Sequence, residues 1–360
     1  MDADQQFTAP FLHALSRRLF MAVGAPQHIA DDVSAILIGA NLAGHDSHGV
    51  LRIPTYLQQI AAGTLDPAAE PLLVQEDATT LCIDGNNGFG HYTARRAMAL
   101  AIDKARTSNI SCVTFRRIQH IGRVGEYAED AARAGCLGLI TIGNGSRARG
   151  RTAPHGGAKA VLGTNPIAVG VPTGDETPFV LDFATSIVAN GKVQVARSKG
   201  LDMPPGHLLD SDGYPTTSID DYENGGSLLP FGGHKGYALA LLVCLLGGLG
   251  THFDEEQAAM GGCYMQVLNI AAFTPLAAYQ QNVRTFLNAI KETPLAPDAT
   301  EILAPGDFEA RNRKQRLTTG IEVPEKIATQ LQTWAERLHL PFAQSIIEPG
   351  DAARYPTAGA

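Results

Sequence analysis

A chain of 360 residues, 44% hydrophobic and 18% charged, can bury a sizeable core as one large domain or two closely packed ones. Its formal net charge of −8 gives no general attraction to phosphate backbones or anionic lipid, which argues against nucleic acid and membrane as partners. Five cysteines (Cys82, Cys112, Cys136, Cys244, Cys263), with no CxxC pair among them, favour neither a zinc site nor a disulfide frame and suit a reduced, cytoplasmic setting.

Residues 1–20 open acidic and carry no continuous apolar core, so no signal peptide is expected. Apolar positions at helical spacing predict helices over 7–23 (Phe11, Leu12, Leu15, Leu19, Phe20) and 26–43 (Ile29, Val33, Ile36, Leu37). They lead into "GHDSHGVLRIPTY", residues 44–56, where His48, Arg52 and Tyr56 are spaced i, i+4, i+8. One helix would set the three on a single face with Asp46 or Ser47 as N-cap, unless Pro54 makes the helix start nearer Ile53 or bend. Histidine exchanges a proton near neutral pH and arginine grips a carboxylate with two prongs, so the stretch suits proton transfer to a bound acid. A capping turn with a solvated arginine fits it equally. The HxxH pair lacks the helical HExxH pattern and a third ligand, so no metal is expected.

"PLLVQEDATTLCIDGNNGFG" predicts two short strands about a polar turn, Thr93–Thr107 a helix, "ISCVTFRR" a strand, Gly125–Ala134 a helix and "CLGLITIGN" a strand. This alternation predicts an α/β fold with a mixed central sheet and surrounding helices. In "QHIGRVGEYAEDAARAG", His120 is expected to end the strand while Gly122 and Gly125 open the helix. Bare amides there favour a phosphate and Arg123 adds charge, although an ordinary glycine turn explains the stretch as well.

Residues 144–173, rich in glycine, proline and arginine, read as loop, with a turn at Asn165–Pro166. "PFVLDFATS" predicts a buried strand interrupted by Asp182, whose carboxylate needs a partner: a histidine, or the start of the next helix. Residues 198–227 read as a long surface loop that serves function or a subunit contact. His234, Lys235 and Gly236 open the most apolar helix, Tyr237–Gly250, which at 14 residues is shorter than the roughly 20 needed to cross a bilayer and reads as buried. Its start suits a phosphate or carboxylate, or is simply a helix end with exposed basic residues. "CYMQVLNIAAF" predicts a strand, and 276–292 and 325–338 predict helices. No GxGxxG follows a strand and no GxxxxGK[ST] occurs, so any dinucleotide is bound without a Rossmann loop.

Taken in order, "DSHGVLRIPTY", "HIGRVGEYAE", "LGTNPIAVGVP", "LDFATS", "GKVQVARSKG", "MPPGHLLDSDGYPTT" and "LLPFGGHKGYALAL" resemble the malate/L-lactate dehydrogenase family, which lacks a Rossmann fold. The likeness runs from about residue 7 to 338, and its second and sixth blocks look most like the hydroxycarboxylate dehydrogenases of that family. It implies one catalytic unit over 1–360, with a helical N-terminal region of about 7–62 and a C-terminal segment packed on it.

The implied activity is reversible, NAD(P)H-dependent reduction of a small 2-oxo acid to a 2-hydroxy acid of malate, lactate or aryl-lactate type, in a homodimer with the active site near the subunit contact. Reduction of a cyclic imino acid such as piperideine-2-carboxylate is the alternative. A non-catalytic dinucleotide sensor is disfavoured by the joint presence of His48, His120 and Asp182. NAD is favoured as cofactor and NADP is possible.

By motif, His48 matches the family's acid/base histidine, Asp182 the carboxylate near it, and His120 a histidine that transfers the proton in some relatives. Arg52, with Tyr56, would bind the substrate carboxylate. Cofactor contacts would come from His48, from Gly122, Arg123 and Val124, from Val180, Leu181, Asp182, Phe183 and Ala184, from His234, Lys235 and Gly236, and from Asn312, Arg313, Lys314 and Gln315.

Overall fold

The computed structural model describes residues 5–143, 150–198, 200–251 and 262–356. A short strand, β1 (Gln5–Phe7), leads into α1 (Ala9–Ala22) and α2 (Gln27–Leu42), close to the predicted bounds. Thr8 caps α1, its Oγ1 accepting the Phe11 N–H at 3.3 Å, and Pro10 stands in the first turn, where no N–H is needed. Leu15, Leu19, Ile29, Val33 and Leu37 are completely buried in this helical layer, each contributing about 1.5–3 kcal/mol. The result is a rigid floor beneath the loop that follows. α3 (Ile53–Ala61) joins the same cluster, as do Leu331 and Ala335 from the far end of the chain.

β2 (Leu72–Glu76) and β3 (Thr80–Asp84) form the predicted hairpin. α4 (Gly90–Ser108), β4 (Ile110–Arg116), α5 (Gly125–Arg133) and β5 (Cys136–Gly143) follow. Because β4 ends at Arg116, His120 lies in the loop after the strand and not on it. Part of the glycine-rich stretch, 144–149, falls outside the described residues. Within the rest of that stretch stands a strand that was expected to be loop, β6 (Ile167–Val171), which pairs with β5 and β7. Its five residues are flanked by so much glycine and proline that the alternation is hard to read. β7 (Phe179–Phe183) pairs on one side only and is half-buried, not fully buried as predicted.

α6 (Asn190–Ser198) opens an excursion that holds β8 (Leu208–Leu209), β9 (Pro215–Thr216), α7 (Ile219–Glu223) and β10 (Ser227–Leu228). The predicted loop is in fact a small three-stranded antiparallel sheet over Val193, Met203, Leu208, Ile219, Tyr222 and Leu228. These apolar residues are too scattered among Gly, Pro and Asp to show a period.

α8 (His234–Gly247) packs against β5 and β11 (Gly262–Asn269). It was expected to be buried, yet Leu242 and Leu245 are 49% and 63% exposed, because only one side of the helix meets the sheet. α9 (Leu276–Lys291), α10 (Asp307–Thr319), β12 (Ile321–Val323), α11 (Glu325–Arg337) and α12 (Pro349–Arg354) complete the chain. β12 pairs with β1, and Asp351 binds His13 Nδ1 at 2.8 Å and Arg17 at 3.2 Å, so the chain's last helices are pinned on its first.

The main sheet has the order β2-β3-β4-β11-β5-β6-β7 and is antiparallel except for β3 beside β4. The fold is the mixed α/β arrangement that was expected. Its centre is a strand drawn from late in the chain.

Candidate active site

After α2 the chain makes two 3-10 turns, Asp46–His48 and Val50–Arg52, before α3 begins at Ile53 with Pro54 in its first turn. His48, Arg52 and Tyr56 therefore do not share one helical face. Asp46 is not an N-cap either: it accepts from Asn41 Nδ2 at 2.7 Å and from Arg316 of α10 at 2.6 and 3.0 Å. Asn41 also takes the Val50 N–H on Oδ1 at 2.9 Å. A Cβ on Gly49 would stand 2.1 Å from that oxygen, so the turn requires glycine. Sequence reading missed Asn41, whose only signal is a polar residue at the end of an apolar helix.

This clamped loop sets His48 against His120, ring centroids 5.9 Å apart and planes 15° from parallel. The Tyr56 hydroxyl shares a hydrogen bond of 2.7 Å with His120 Nδ1 and lies 3.4 Å from His91 Nε2. His91, fully buried in the first turn of α4, was also missed; a lone histidine at a helix start announces nothing. Tyr56 is 3% exposed and turned onto two imidazoles, so it is not placed to help Arg52 hold a carboxylate, as had been expected.

Arg52 is half-buried and donates Nε–H to the Ser47 carbonyl at 2.8 Å. Among the described residues its guanidinium has no carboxylate partner. Burial first, then the charges of Arg52, His45 and Arg123, push the His48 imidazole down to about 3. Burial, then His91, Arg52 and His48, hold His120 well below the usual histidine range. The site is short of negative charge.

Asp182 does not supply it. Its Oδ2 accepts the Gly125 N–H at 2.8 Å and stands 3.7 Å from Arg123 Nε. The carboxylate thus occupies the α5 amide that was expected to meet a phosphate, and no hydrogen bond joins it to His48. Burial pushes its carboxyl up, against the opposing pull of Arg123 and the Gly125 amide. Arg123 itself is 3% exposed and lies 3.6 Å from both Glu126 and Glu129, with Nε and Nη1 lacking any hydrogen-bond partner among the described residues.

A cavity of about 710 Å³ opens beside Arg123, within the range of small-molecule sites. Arg123, Val180, Arg313 and Lys314, all among the expected cofactor residues, line it together with Glu129 and Glu309. Arg313 and Lys314 have no carboxylate partner among the described residues. Arg313 and Lys314 fit the phosphate-bearing part of a ligand, while the charge of Arg123 is shared with Glu126, Glu129 and Asp182. α10, which carries both cations, was not predicted as a helix, because its many charges leave no apolar stripe. It is held to the histidine loop by His45 on Glu309 at 3.0 Å and by the Asp46–Arg316 pair.

The other expected cofactor residues do not line this cavity. Gly122 turns with φ +75°, packed on His91, and Val124 is the buried residue before α5. Leu181, Phe183 and Ala184 continue β7, with Phe183 edge-on to Phe231 at 5.5 Å, just before α8. His234 and Lys235 are exposed, and the His234 ring faces His155 at 6.1 Å. The amides of Lys235 and Gly236 are taken by the Gly232 and Phe231 carbonyls, so this helix start offers less to an anion than expected. Asn312 folds back onto the Phe308 carbonyl at 2.9 Å, and Gln315 is exposed. Among the described residues no group of three or more His, Cys, Asp or Glu could hold a metal ion.

The family model for malate/L-lactate dehydrogenase matches residues 7–332. Malate dehydrogenase of Pyrococcus abyssi is 36% identical over 337 residues, covering 89% of this chain and 91% of its own. Hydroxycarboxylate dehydrogenase B of Escherichia coli K12 is 35% identical over 331 residues, with the same coverage. Among solved structures, malate dehydrogenase from Entamoeba histolytica superposes with a TM-score of 0.89 at 26% identity, over 94% of this chain and 99% of that one. The delta1-piperideine-2-carboxylate reductase from Pseudomonas syringae gives 0.80 at 31% identity, over 92% and 100%. Matched along nearly its whole length in sequence and in fold, the chain belongs to the malate/L-lactate dehydrogenase family.

Proposed function

We propose that the chain is a nicotinamide-dependent dehydrogenase of small 2-hydroxy acids, working reversibly on the matching 2-oxo acids, with NAD favoured and NADP possible. The observation that carries this reading is the His48–His120 stack beside an arginine without a carboxylate partner among the described residues. A 2-oxo acid brings a carboxylate for Arg52 and a carbonyl oxygen that must gain a proton.

When bound, the nicotinamide supplies the hydride at the carbonyl carbon. Arg123, Val180, Arg313 and Lys314 would hold the cofactor's phosphate-bearing part in their cavity. His120, as imidazolium, gives its Nε2 proton to the carbonyl oxygen and keeps Nδ1–H on the Tyr56 oxygen, ending as neutral imidazole, while His48 lies flat against it and helps orient the substrate. The motif likeness gives the proton to His48; the support behind His120 favours the other assignment. Asp182 acts at one remove, holding the start of α5 and Arg123 in place.

The substrate's negative charge also prepares the chemistry. A carboxylate on Arg52 cancels the charge that depresses both imidazoles, and so raises their affinity for a proton once substrate is bound.

A second reading is reduction of a cyclic imino acid, favoured by the likeness to the piperideine-2-carboxylate reductase and served by the same grip on a carboxylate. Loss of reduced-nicotinamide absorbance against a panel of 2-oxo acids and cyclic imino acids, with NADH and NADPH in turn, separates the two. Turnover on oxo acids supports the first reading and imine-only turnover the second; cofactor binding without turnover removes both.

We further propose a homodimer built as one catalytic unit per chain. The bare Leu241, Leu242 and Leu245 of α8 support it, since several exposed apolar side chains on one helix favour burial against a second copy. Light scattering that returns a single-chain mass would remove it. A cytoplasmic setting is supported by five free cysteines, four of them buried.

A further inference from the structure

We propose that Arg316 is a positioning residue: it holds the loop that bears His48 and carries to that loop the docking of a cofactor on α10. This rests on the assignment of the Arg313–Lys314 cavity to the cofactor above.

α10 turns two neighbouring faces to two different tasks. Phe308, Asn312 and Arg316, spaced i, i+4, i+8, lie along one face with Glu309 beside it. That face rests on the histidine loop. A Cβ on Gly44 would stand 3.0 Å from Asn312 Nδ2 and 3.3 Å from Phe308 Cε1, His45 binds Glu309 at 3.0 Å, and Asp46 binds Arg316. The neighbouring face presents Arg313, Lys314 and Leu317 to the cavity.

The helix has little else to fix it. None of its side chains is fully buried, and Leu317 is half-buried against the helical layer. A helix without a buried face belongs to the less stable part of a fold, and its polar contacts decide where it sits. A phosphate on Arg313 and Lys314 adds to those contacts.

Of the two charged tethers to the loop, the Arg316 one is better placed to transmit this. Glu309 lines the cavity, where a bound phosphate would repel it, so the His45 contact weakens as the cavity fills. Arg316 is not in the cavity wall. Its guanidinium forks onto Asp46, Nη1 on Oδ1 at 2.6 Å and Nη2 on Oδ2 at 3.0 Å, and also donates to the Asn41 carbonyl. The Asn41 side chain in turn holds Asp46 at 2.7 Å and the Val50 N–H at 2.9 Å. One arginine thus grips the chain on both sides of His48 while touching neither the cavity nor the stacked imidazoles.

The test is hydrogen exchange read by mass spectrometry on the full chain, over residues 44–53 and 306–319, alone and with NADH or NADPH, beside steady-state kinetics. In the wild type, cofactor is expected to slow exchange in both segments. In Arg316→Gln it should slow exchange in α10 only, and the loop without cofactor should exchange about tenfold faster than in the wild type. There kcat should fall about tenfold with cofactor Kd kept within about threefold, and Arg316→Lys should recover part of both readouts. Arg316→Gln combined with Asp46→Asn should cost no more than either alone, since one contact cannot be lost twice.

A folded Arg316→Gln variant whose loop exchanges as in the wild type would overturn the proposal. So would a wild type in which cofactor protects α10 and leaves the loop unprotected, or costs that add in the double variant. Where neither cofactor protects α10, the cavity's assignment to the cofactor falls, and exchange without cofactor still decides whether Arg316 holds the loop.

Discussion

Arg52 and Ser47 are joined by a single hydrogen bond of 2.8 Å, from Nε–H to the main-chain carbonyl, which aims the guanidinium while leaving it without a carboxylate among the described residues. The arginine is held in place and still unneutralised. Arg52→Ala is therefore expected to raise KM for the 2-oxo acid by about a hundredfold or more, the worth of a charged two-pronged contact of a few kcal/mol. Arg52→Lys should recover only part of it, because a point charge lacks the fork. An unchanged KM in initial-rate measurements would take the carboxylate away from Arg52.

Replacing each histidine of the stack in turn separates their roles. His120→Ala should cost about a hundredfold or more in kcat, the usual scale of a lost general acid, with cofactor affinity kept within a few-fold. His48→Ala should cost less in kcat and more in KM. The reverse ranking, read from kcat and from cofactor titration by fluorescence, would return the proton to His48.

Acid should unfold this protein through its histidine cluster. His48 and His91 are pushed down to about 3 and His120 well below its ordinary value, all chiefly by burial. The unfolded chain therefore binds more protons than the folded one between the ordinary histidine value of 6.5 and about 3. The stability these neutral imidazoles contribute is whole above 6.5 and is lost as pH falls through that window, at about 2 kcal/mol each for His48 and His91 by about pH 5. Denaturant midpoints measured across this range should fall with pH, and the fall should be shallower in His91→Leu. A midpoint flat over the window would contradict the burial of these charges.

The cavity cations call for a different measurement. Arg313→Ala with Lys314→Ala should weaken nicotinamide cofactor binding about tenfold or more and flatten its dependence on salt, with KM for the oxo acid little changed. Cofactor affinity that ignores both the substitutions and the salt would place the phosphates elsewhere.

Gly49→Ala is expected to lower the melting temperature and abolish most turnover. The added methyl meets Asn41 Oδ1 at 2.1 Å, and Asn41 cannot yield without releasing both Val50 and Asp46. Crowding of this kind costs about 1–3 kcal/mol. Wild-type melting and activity would show that the turn has room.

How much of this was legible in the sequence depended on whether a feature was local. The helices over 9–22 and 27–42 advertise themselves by an apolar stripe, and "GHDSHGVLR" by reactive side chains crowded where a helix ends. Tyr56 was legible as a residue but not as a partner: its place behind His120 is fixed across 64 positions of chain. Asn41 and His91 are polar residues whose meaning lies wholly in what folds onto them. α10 and the sheet of β8, β9 and β10 owe their form to tertiary contact, because neither has the hydrophobic period that would declare it. Asp182 misled for a related reason, since the motif names the residue while a backbone amide of α5 claims its charge.

The place of β11 bears on how the molecule is made. Residues 262–269 lie between β4 and β5, bonded along both, so until they leave the ribosome those two strands each present an unsatisfied edge. A nascent chain stopped before residue 262 lacks both the late residues that complete the core under α1 and α2 and the strand that joins its two half-sheets. Separated by more than a hundred residues from β5, the last strand of the main sheet makes its assembly a late, long-range event in which chaperone protection matters most.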